Sequence, residues 1–320
     1  MPGALHLVAD IGGTKTLLAL AARDGLRQTV RQENDSSEGF LPLLRAYLAE
    51  IPPYERVRIE GASLAVAAPI GGEHVTLSNR PTWQIDRADV SELLSHKPVH
   101  LLNDFAAAAR GLPTLAADDL HALQPGMAAP EGLRLCLGPG TGFGVAALHE
   151  GHVIPSEGGH IAFAPVDHAQ VELWRFLGGE YRRVTLDRVC SGPGLVATYR
   201  HCLHRAGHAI DGELSPARVI GRARKGGDPH ARQALELFTR VLGAACGDLA
   251  LAFLATGGVY LTGGMTLHLL PEISRGGFLR AFNRKAEHGG ITRRMPLHVV
   301  LRDDLALLGA AALARDQLDI

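Results

Sequence analysis

A glycine-rich turn occurs twice in this chain, each time behind an apolar strand and ahead of another. The first copy is Leu7-Val8-Ala9-Asp10-Ile11-Gly12-Gly13-Thr14-Lys15-Thr16. The second is Leu135-Cys136-Leu137-Gly138-Pro139-Gly140-Thr141-Gly142-Phe143-Gly144-Val145. Glycine lets backbone approach a ligand closely and adopt positive φ at little cost. Successive N–H groups exposed in such a turn form a nest for anions. Two copies imply two phosphate-gripping hairpins facing each other. The carboxylate of Asp10, beside the first, could hold a metal ion.

The stretches around the turns repeat one supersecondary unit. Residues 5–34 read as strand, glycine turn, strand, the Arg23-Asp24-Gly25 turn and strand. Strands joined by such short turns are antiparallel. Apolar spacing at Phe40, Leu43, Leu44, Tyr47 and Leu48 predicts a helix, ended by Pro52-Pro53. Ala62–Ala68 is apolar apart from Ser63, as a strand covered on both faces is. Asp86 is placed to cap a helix reaching His96, and Val99–Leu102 is a further buried strand ending at Asn103-Asp104. The second copy restarts at Leu133 and is enlarged by helices. Ser215-Pro216 and Asp228-Pro229 are cap-plus-proline helix starts, the second helix running to about Leu254 with Gly243 and Gly247 inside it. Val259–Thr262 and Leu297–Leu301 are short strands, and Leu305–Ala314 is the last helix.

The fold class expected is therefore α/β, with two related domains and a cleft between them, where ligands commonly bind. Residues 1–112 plus 305–320 form the smaller domain, and 113–304 the larger, with helical insertions.

Bulk properties exclude several roles. A formal charge of −1 over 320 residues leaves no general electrostatic footprint for nucleic acid. The 32 basic residues include only four lysines, at 15, 97, 225 and 285, and no run of arginine stands out, so the bias reads as codon usage. Cysteines 136, 190, 202 and 246 have no paired spacing, which argues against a zinc knuckle or disulfide framework and for a reducing compartment. No signal peptide is visible. The longest apolar stretches, Leu249–Ala255 and Leu305–Ala314, are too short to span a bilayer. A cytoplasmic protein without membrane or nucleic-acid partners is expected.

Six motifs then stand in order: Asp10-Ile-Gly-Gly-Thr14, Leu102-Asn103-Asp104-Phe105, Gly138-Pro-Gly-Thr-Gly142, Glu157-Gly-Gly-His160, Ser191-Gly-Pro-Gly194 and Thr262-Gly-Gly264. In order and spacing the chain resembles the bacterial glucokinases, over nearly its whole length. That resemblance implies a duplicated RNase-H-like fold of the hexokinase and actin-like ATPase superfamily. It also implies ATP-dependent phosphorylation of glucose at the 6-hydroxyl, with Mg²⁺, by a homodimer.

Carried onto this sequence, Asp104 is the general base. It follows an apolar strand, and a carboxylate there projects where ligands bind in α/β sheets; its plainer role is to cap the helix after it. The resemblance gives Glu157 and His160 to the sugar hydroxyls, which carboxylate and imidazole groups can read; a polar turn is the plainer reading. Asn103 is given to sugar O3 or O4, or else to tying the strand end. Asn79 is either near the sugar or a turn former. Asp187 stands where the family has Glu, one methylene longer; it reaches the anomeric hydroxyl directly, through water, or weakly.

On the nucleotide side the backbone of Ala9, Asp10, Ile11, Gly12, Gly13 and Thr14 is expected at the β/γ-phosphates, with Asp10 positioning Mg²⁺. Gly138, Gly140, Thr141 and Gly142 belong to the facing hairpin, and Gly263 and Gly264 to the adenosine. Lys15 is not a Walker lysine, since Gly-x-x-x-x-Gly-Lys is absent. The missing cysteine cluster argues against the zinc site of the related repressor/open-reading-frame/kinase group.

Two other functions stay open. A kinase for another hexose or an amino sugar would use the same polar groups. A sugar-sensing regulator needs a DNA-binding module, and the first strand, starting near residue 5, is expected to leave no room for one.

Overall fold

The computed structural model describes residues 3–72, 74–78, 80–209 and 212–318. They divide into two compact units, Met1–Leu115 with Gly151–Pro155 and Asp304–Ile320, and Ala116–Glu150 with Ser156–Asp303.

The first unit opens with β1 (Leu5–Ile11), β2 (Lys15–Ala22) and β3 (Gly25–Glu33), then α1 (Phe40–Glu50) and α2 (Pro53–Arg56). It continues with β4 (Ile59–Val66), β5 (His74–Leu77), β6 (Arg80–Asp86), α3 (Arg87–Leu93), β7 (Val99–Asn103) and α4 (Asp104–Gly111). Its main sheet has the order β3-β2-β1-β4-β7. The β1–β2 and β2–β3 pairs are antiparallel, and β1–β4 and β4–β7 are parallel. The central strands are buried on both faces because helices cover both. α1 turns Phe40, Leu43, Leu44, Tyr47 and Leu48 inward. Asp86 caps α3, its Oδ1 accepting from the Ala88 N–H at 2.7 Å.

The second unit, taken with β11 (His152–Ser156), of which only Ser156 groups with it, comprises β8 (Leu120–Gln124), β9 (Arg134–Pro139), β10 (Phe143–His149), α5 (His168–Gly178), α6 (Leu186–Val189), α7 (Gly192–Arg205), α8 (Pro216–Arg224), α9 (Pro229–Ala252), β12 (Gly258–Leu261), α10 (Gly264–Ile273), α11 (Gly277–Asn283), α12 (Gly289–Thr292) and β13 (Leu297–Val300). Its sheet order is β11-β10-β9-β12-β13-β8. The β9–β10 pair is antiparallel, and β9–β12 and β12–β13 are parallel. The first five strands thus repeat the order of the first unit, and the duplication read from the glycine turns is a duplication of topology. The last helix, α13 (Leu305–Leu318), returns to the first unit, where Leu307, Ala310, Ala311 and Ala314 pack on Val8, Leu17, Ala19 and Ala21.

Three features escaped the sequence reading. The β5–β6 hairpin buries Trp83 and Ile85 and exposes Thr82 and Gln84 between and beside them; this period-two signal was present. β8 adds an antiparallel edge to the second sheet beside β13. The short segment Gly151–Pro155, expected with the larger domain, groups with the first unit.

Glycines inside α9 serve close packing. A Cβ on Gly243 would lie 2.3 Å from the Phe278 carbonyl oxygen, and one on Gly247 would lie 2.2 Å from that of Phe282. α11 therefore sits directly against the α9 backbone.

Buried on the central strand β1 of the first sheet is an ionisable group. His6, 2% exposed, lies with Nε2 3.1 Å from Ser63 Oγ. Burial is the main cause that lowers its pKa from 6.5 to about 4, and a nearby His100 acts in the same direction. The folded ring is neutral, while the unfolded chain takes up a proton near its ordinary value. The contribution is therefore complete above about pH 6.5 and lost as pH falls towards 4. It amounts to at most about 3 kcal/mol. In urea unfolding between about pH 7 and pH 4.5, the wild type is expected to lose stability more steeply than His6→Asn. Parallel slopes would show that His6 does not contribute.

Candidate functional site

In the first unit β1 and β2 are joined by the turn Gly12–Thr14, closed by the Gly12 N–H donating to the Lys15 carbonyl at 3.0 Å. Ala9 and Ile11 are fully buried and paired on both sides by β2 and β4. The segment outside the ladder is thus Gly12–Thr14, shorter than the Ala9–Thr14 run expected. Asp10 sits one residue before the end of β1, in register with Leu17 and Ala65.

The turn is braced by a residue the sequence reading missed. Asn34, fully buried, donates from Nδ2 to the Gly12 carbonyl at 2.8 Å. Its Oδ1 accepts from Thr16 Oγ1 at 2.8 Å, and its own N–H donates to the Thr14 carbonyl. Arg80 donates to the Gly13 carbonyl at 3.4 Å and pairs with Asp35. A lone Asn after a strand carries little signal; only the fold brings it under the turn.

At the carboxyl end of β7, Asn103 rather than Asp104 caps α4. Its Oδ1 accepts from the N–H groups of Phe105 (3.0 Å) and Ala106 (3.1 Å). This corrects the capping role considered for Asp104, which is the first residue of the helix. Asn103 Nδ2 donates to the Ala68 carbonyl at 3.2 Å and to Asp104 Oδ1 at 3.0 Å. The Phe105 N–H donates to that same oxygen at 2.9 Å. Asn103 therefore ties the strand end and holds its neighbour's carboxylate at a helix N-terminus, where negative charge is favoured.

In the second unit β9 and β10 are joined across Gly140–Gly142, with the Gly140 N–H donating to the Gly142 carbonyl at 2.7 Å. The Gly192 N–H, at the start of α7, donates to the Gly140 carbonyl at 2.8 Å. Gly12, Gly13, Gly138, Gly140 and Gly142 all lack a left-handed backbone. Close approach, not handedness, is therefore the reason for glycine at 138 and 142. A Cβ on Gly138 would lie 2.1 Å from the Thr262 carbonyl oxygen, and one on Gly142 2.6 Å from Asp187 Oδ1. Gly140 is open. Gly263 does need its freedom, with φ 96° at the cap of α10, while Gly264 faces open space.

Around Phe143 the structure gathers three candidates. Asp187 Oδ1 accepts from the Phe143 N–H at 2.9 Å. Gly159, between Glu157 and His160, lies against the Phe143 carbonyl, 2.0 Å from where its Cβ would stand. His160 Nε2 and Glu157 Oε2 are 3.6 Å apart, both side chains exposed. The strand-like pairing of Ala162 with Thr185 lays this loop beside the approach to α6. Sugar-loop and hairpin candidates thus share one backbone residue. Asn79 lies outside the described residues.

Among the described residues no group of three or more His, Cys, Asp or Glu is arranged so that it could hold a metal ion. Mg²⁺ carried in on phosphates needs no such group, only one or two protein carboxylates. All four cysteines are free and buried. Burial raises the thiol pKa values of Cys190 and Cys246, and that of Cys202 to about 11, so they are poor nucleophiles. No helix among the described residues is long and apolar enough to cross a membrane.

The family model described as Glucokinase matches residues 7–317. A glucokinase of Chromohalobacter salexigens is 37% identical over 310 residues, covering 95% of each chain. That of Mesorhizobium japonicum is 34% identical over 314 residues, covering 97% of this chain and 91% of that protein. Among solved structures, a glucokinase from an Antarctic psychrotroph superposes with a TM-score of 0.84 at 30% identity, covering 98% of this chain and 99% of that one. The glucokinase of Balamuthia mandrillaris, solved with glucose, has the same fold, with a TM-score of 0.80 at 24% identity over 98% of this chain and 94% of that one. With its repeated sheet order and its six motifs, the chain belongs to the glucokinase family.

Proposed function

We propose that this chain transfers the γ-phosphoryl group of ATP to the 6-hydroxyl of D-glucose, yielding glucose 6-phosphate and ADP. The observation that carries this reading is the Asp104 carboxylate, fixed at the carboxyl end of a buried parallel strand by Asn103 Nδ2 and the Phe105 N–H. Phosphoryl transfer asks for positioning and charge stabilisation rather than covalent help. Asp104 takes the proton of the 6-hydroxyl as its oxygen attacks. Asn103 orients that carboxylate, and its amide already has partners in Ala68 and Asp104. Glu157 and His160 read sugar hydroxyls, with Asn79 assigned to the sugar by resemblance. Gly12–Thr14 and Gly140–Gly142 meet the nucleotide phosphates, and Gly263-Gly264 the adenosine. Mg²⁺, when bound, neutralises phosphate charge; Asp10 is the residue that would hold it. The enzyme acts in the cytoplasm, where ATP is available, as a homodimer, an assembly that light scattering measures directly.

A coupled ADP-release assay over glucose, mannose, fructose and N-acetylglucosamine tests the substrate. Glucose is expected to give the highest kcat/KM. A higher value for another sugar would establish the alternative hexose or amino-sugar kinase.

Asp187 is expected to act through the hairpin as well as the sugar. Its bond to the Phe143 N–H is fitted at 2.9 Å, and Gly142 leaves room for this shorter carboxylate. Asp187→Ala leaves that N–H, on a buried residue, without its acceptor, a loss of about 1–3 kcal/mol. KM for ATP should rise about tenfold or more, while Asp187→Asn, which keeps an acceptor oxygen, should change it less. Asp187→Glu crowds Gly142 and should raise KM for glucose. An unchanged KM for ATP in Asp187→Ala would remove the hairpin role.

A further inference from the structure

The second unit brings together charges that the sequence keeps apart. Arg205, Arg224, Arg232, Arg240, Arg275 and Arg280 line a single cavity of about 930 Å³, together with Glu236 and Glu272. They come from α7, α8, α9, α11 and the turn after α10. The whole chain carries a formal charge of −1, so this is a local concentration of positive charge.

Part of that charge is neutralised in place. Arg224 pairs with the buried Glu272. Arg205 lies 3.1 Å from Glu172, and Arg240 lies 3.8 Å from Asp167. Arg275 and Arg280 have no carboxylate partner among the described residues. Both are exposed at the cavity.

The same wall holds an unsatisfied polar group. His201 is 3% exposed, yet neither ring nitrogen has a hydrogen-bond partner among the described residues. Buried polar groups are ordinarily satisfied. Burial chiefly, and the charge of Arg205 next, lower its pKa from 6.5, so the ring is neutral and can donate a hydrogen bond.

From this we propose that the cavity binds a small phosphorylated metabolite, at a site made of residues other than those assigned to glucose and ATP. Guanidinium forks match phosphate oxygens in pairs. Like charges held together repel, and an anion relieves that repulsion. The volume suits one small molecule, since ligand cavities run from about 300 to 1,000 Å³. Arg275 and Arg280 supply the uncompensated charge, and His201 gains a partner from the ligand or its water.

The test is calorimetry on the intact enzyme saturated with glucose and a non-hydrolysable ATP analogue, so that the kinase site is filled. Fructose 1,6-bisphosphate is the probe, with citrate as the carboxylate counterpart. One-to-one binding with a Kd below about 1 mM is expected. It should weaken about tenfold or more in Arg275→Ala/Arg280→Ala. The control Arg23→Ala/Arg45→Ala removes the same charge from exposed positions of the first unit and should bind as the wild type does. All four positions are exposed, so thermal melting should show the variants folded. No heat from the wild type, equal weakening in both double variants, or tighter binding of citrate than of the probe would each overturn the proposal.

Discussion

Asp104→Asn lowers kcat for glucose phosphorylation by about 10²–10⁴-fold, the usual contribution of a general base, and leaves glucose affinity little changed. The amide keeps the size and one acceptor oxygen of the carboxylate, so it can still receive hydrogen bonds from Asn103 Nδ2 and the Phe105 N–H. What it lacks is the capacity to take a proton in the transition state, and an interaction made only there appears in kcat rather than in ground-state binding. Calorimetric glucose affinity and steady-state kcat should be measured on the same preparation. Turnover above about a third of wild type would remove Asp104 from the base role. Asn103→Ala offers a contrast. It strips the cap from α4 and one donor from Asp104 together, so it should lower both kcat and stability.

The second large effect separates two glycines of one hairpin. Gly138→Ala forces a Cβ to 2.1 Å from the Thr262 carbonyl oxygen, where both partners are backbone and neither can turn aside. β9 and β12 are neighbouring parallel strands, and the Thr262 N–H donates to the Leu137 carbonyl at 3.0 Å. The substitution must spread that junction and displace Gly263-Gly264 beyond it. Overpacking of this kind costs typically about 1–3 kcal/mol and occasionally more. A lower Tm and a raised KM for ATP are expected together. Gly140→Ala has nothing nearer than the Gly142 carbonyl oxygen at 3.9 Å, and its φ is not left-handed. Its Tm should match the wild type. If the nucleotide lies against this turn, the added methyl meets the phosphates, and KM for ATP rises without loss of stability. A wild-type KM for ATP in Gly140→Ala would remove the turn from the nucleotide site. An unaltered Tm in Gly138→Ala would contradict the packing at Thr262.

Much of the fold was legible because it is encoded over short distances. The caps at Asp86, Ser215 and Asp228, each followed within two residues by the first turn of its helix, were read where they stand. So were the two glycine hairpins, because a strand, a tight turn and a strand need no long-range partner. The β5–β6 hairpin shows the limit: its alternation is local, with Val75 and Leu77 buried on one strand and Trp83 and Ile85 on the other, yet each strand offers only two buried residues. Asp104 was singled out by the resemblance and by its place after a buried strand, but its relation to Asn103 was not read, since either side chain can cap a helix. The structure made Asn103 the cap and Asp104 the residue it holds.

By itself, then, the sequence determined the repeated strand units, the helix starts between them, and the motif order that marks the family. Local patterns suffice for these, because caps, turns and periodicity act within a few residues. Tertiary structure alone decided which groups meet across the chain. Asn34 braces the Gly12 turn, Thr262 presses on Gly138, Asp187 holds the Phe143 N–H, and arginines from positions 205 to 280 ring one cavity. A run of arginine never appears in the sequence because its members are distributed over several helices. Their common charge becomes a feature only when packing of those helices, driven by apolar faces that carry no information about the arginines, sets their other faces around the same space.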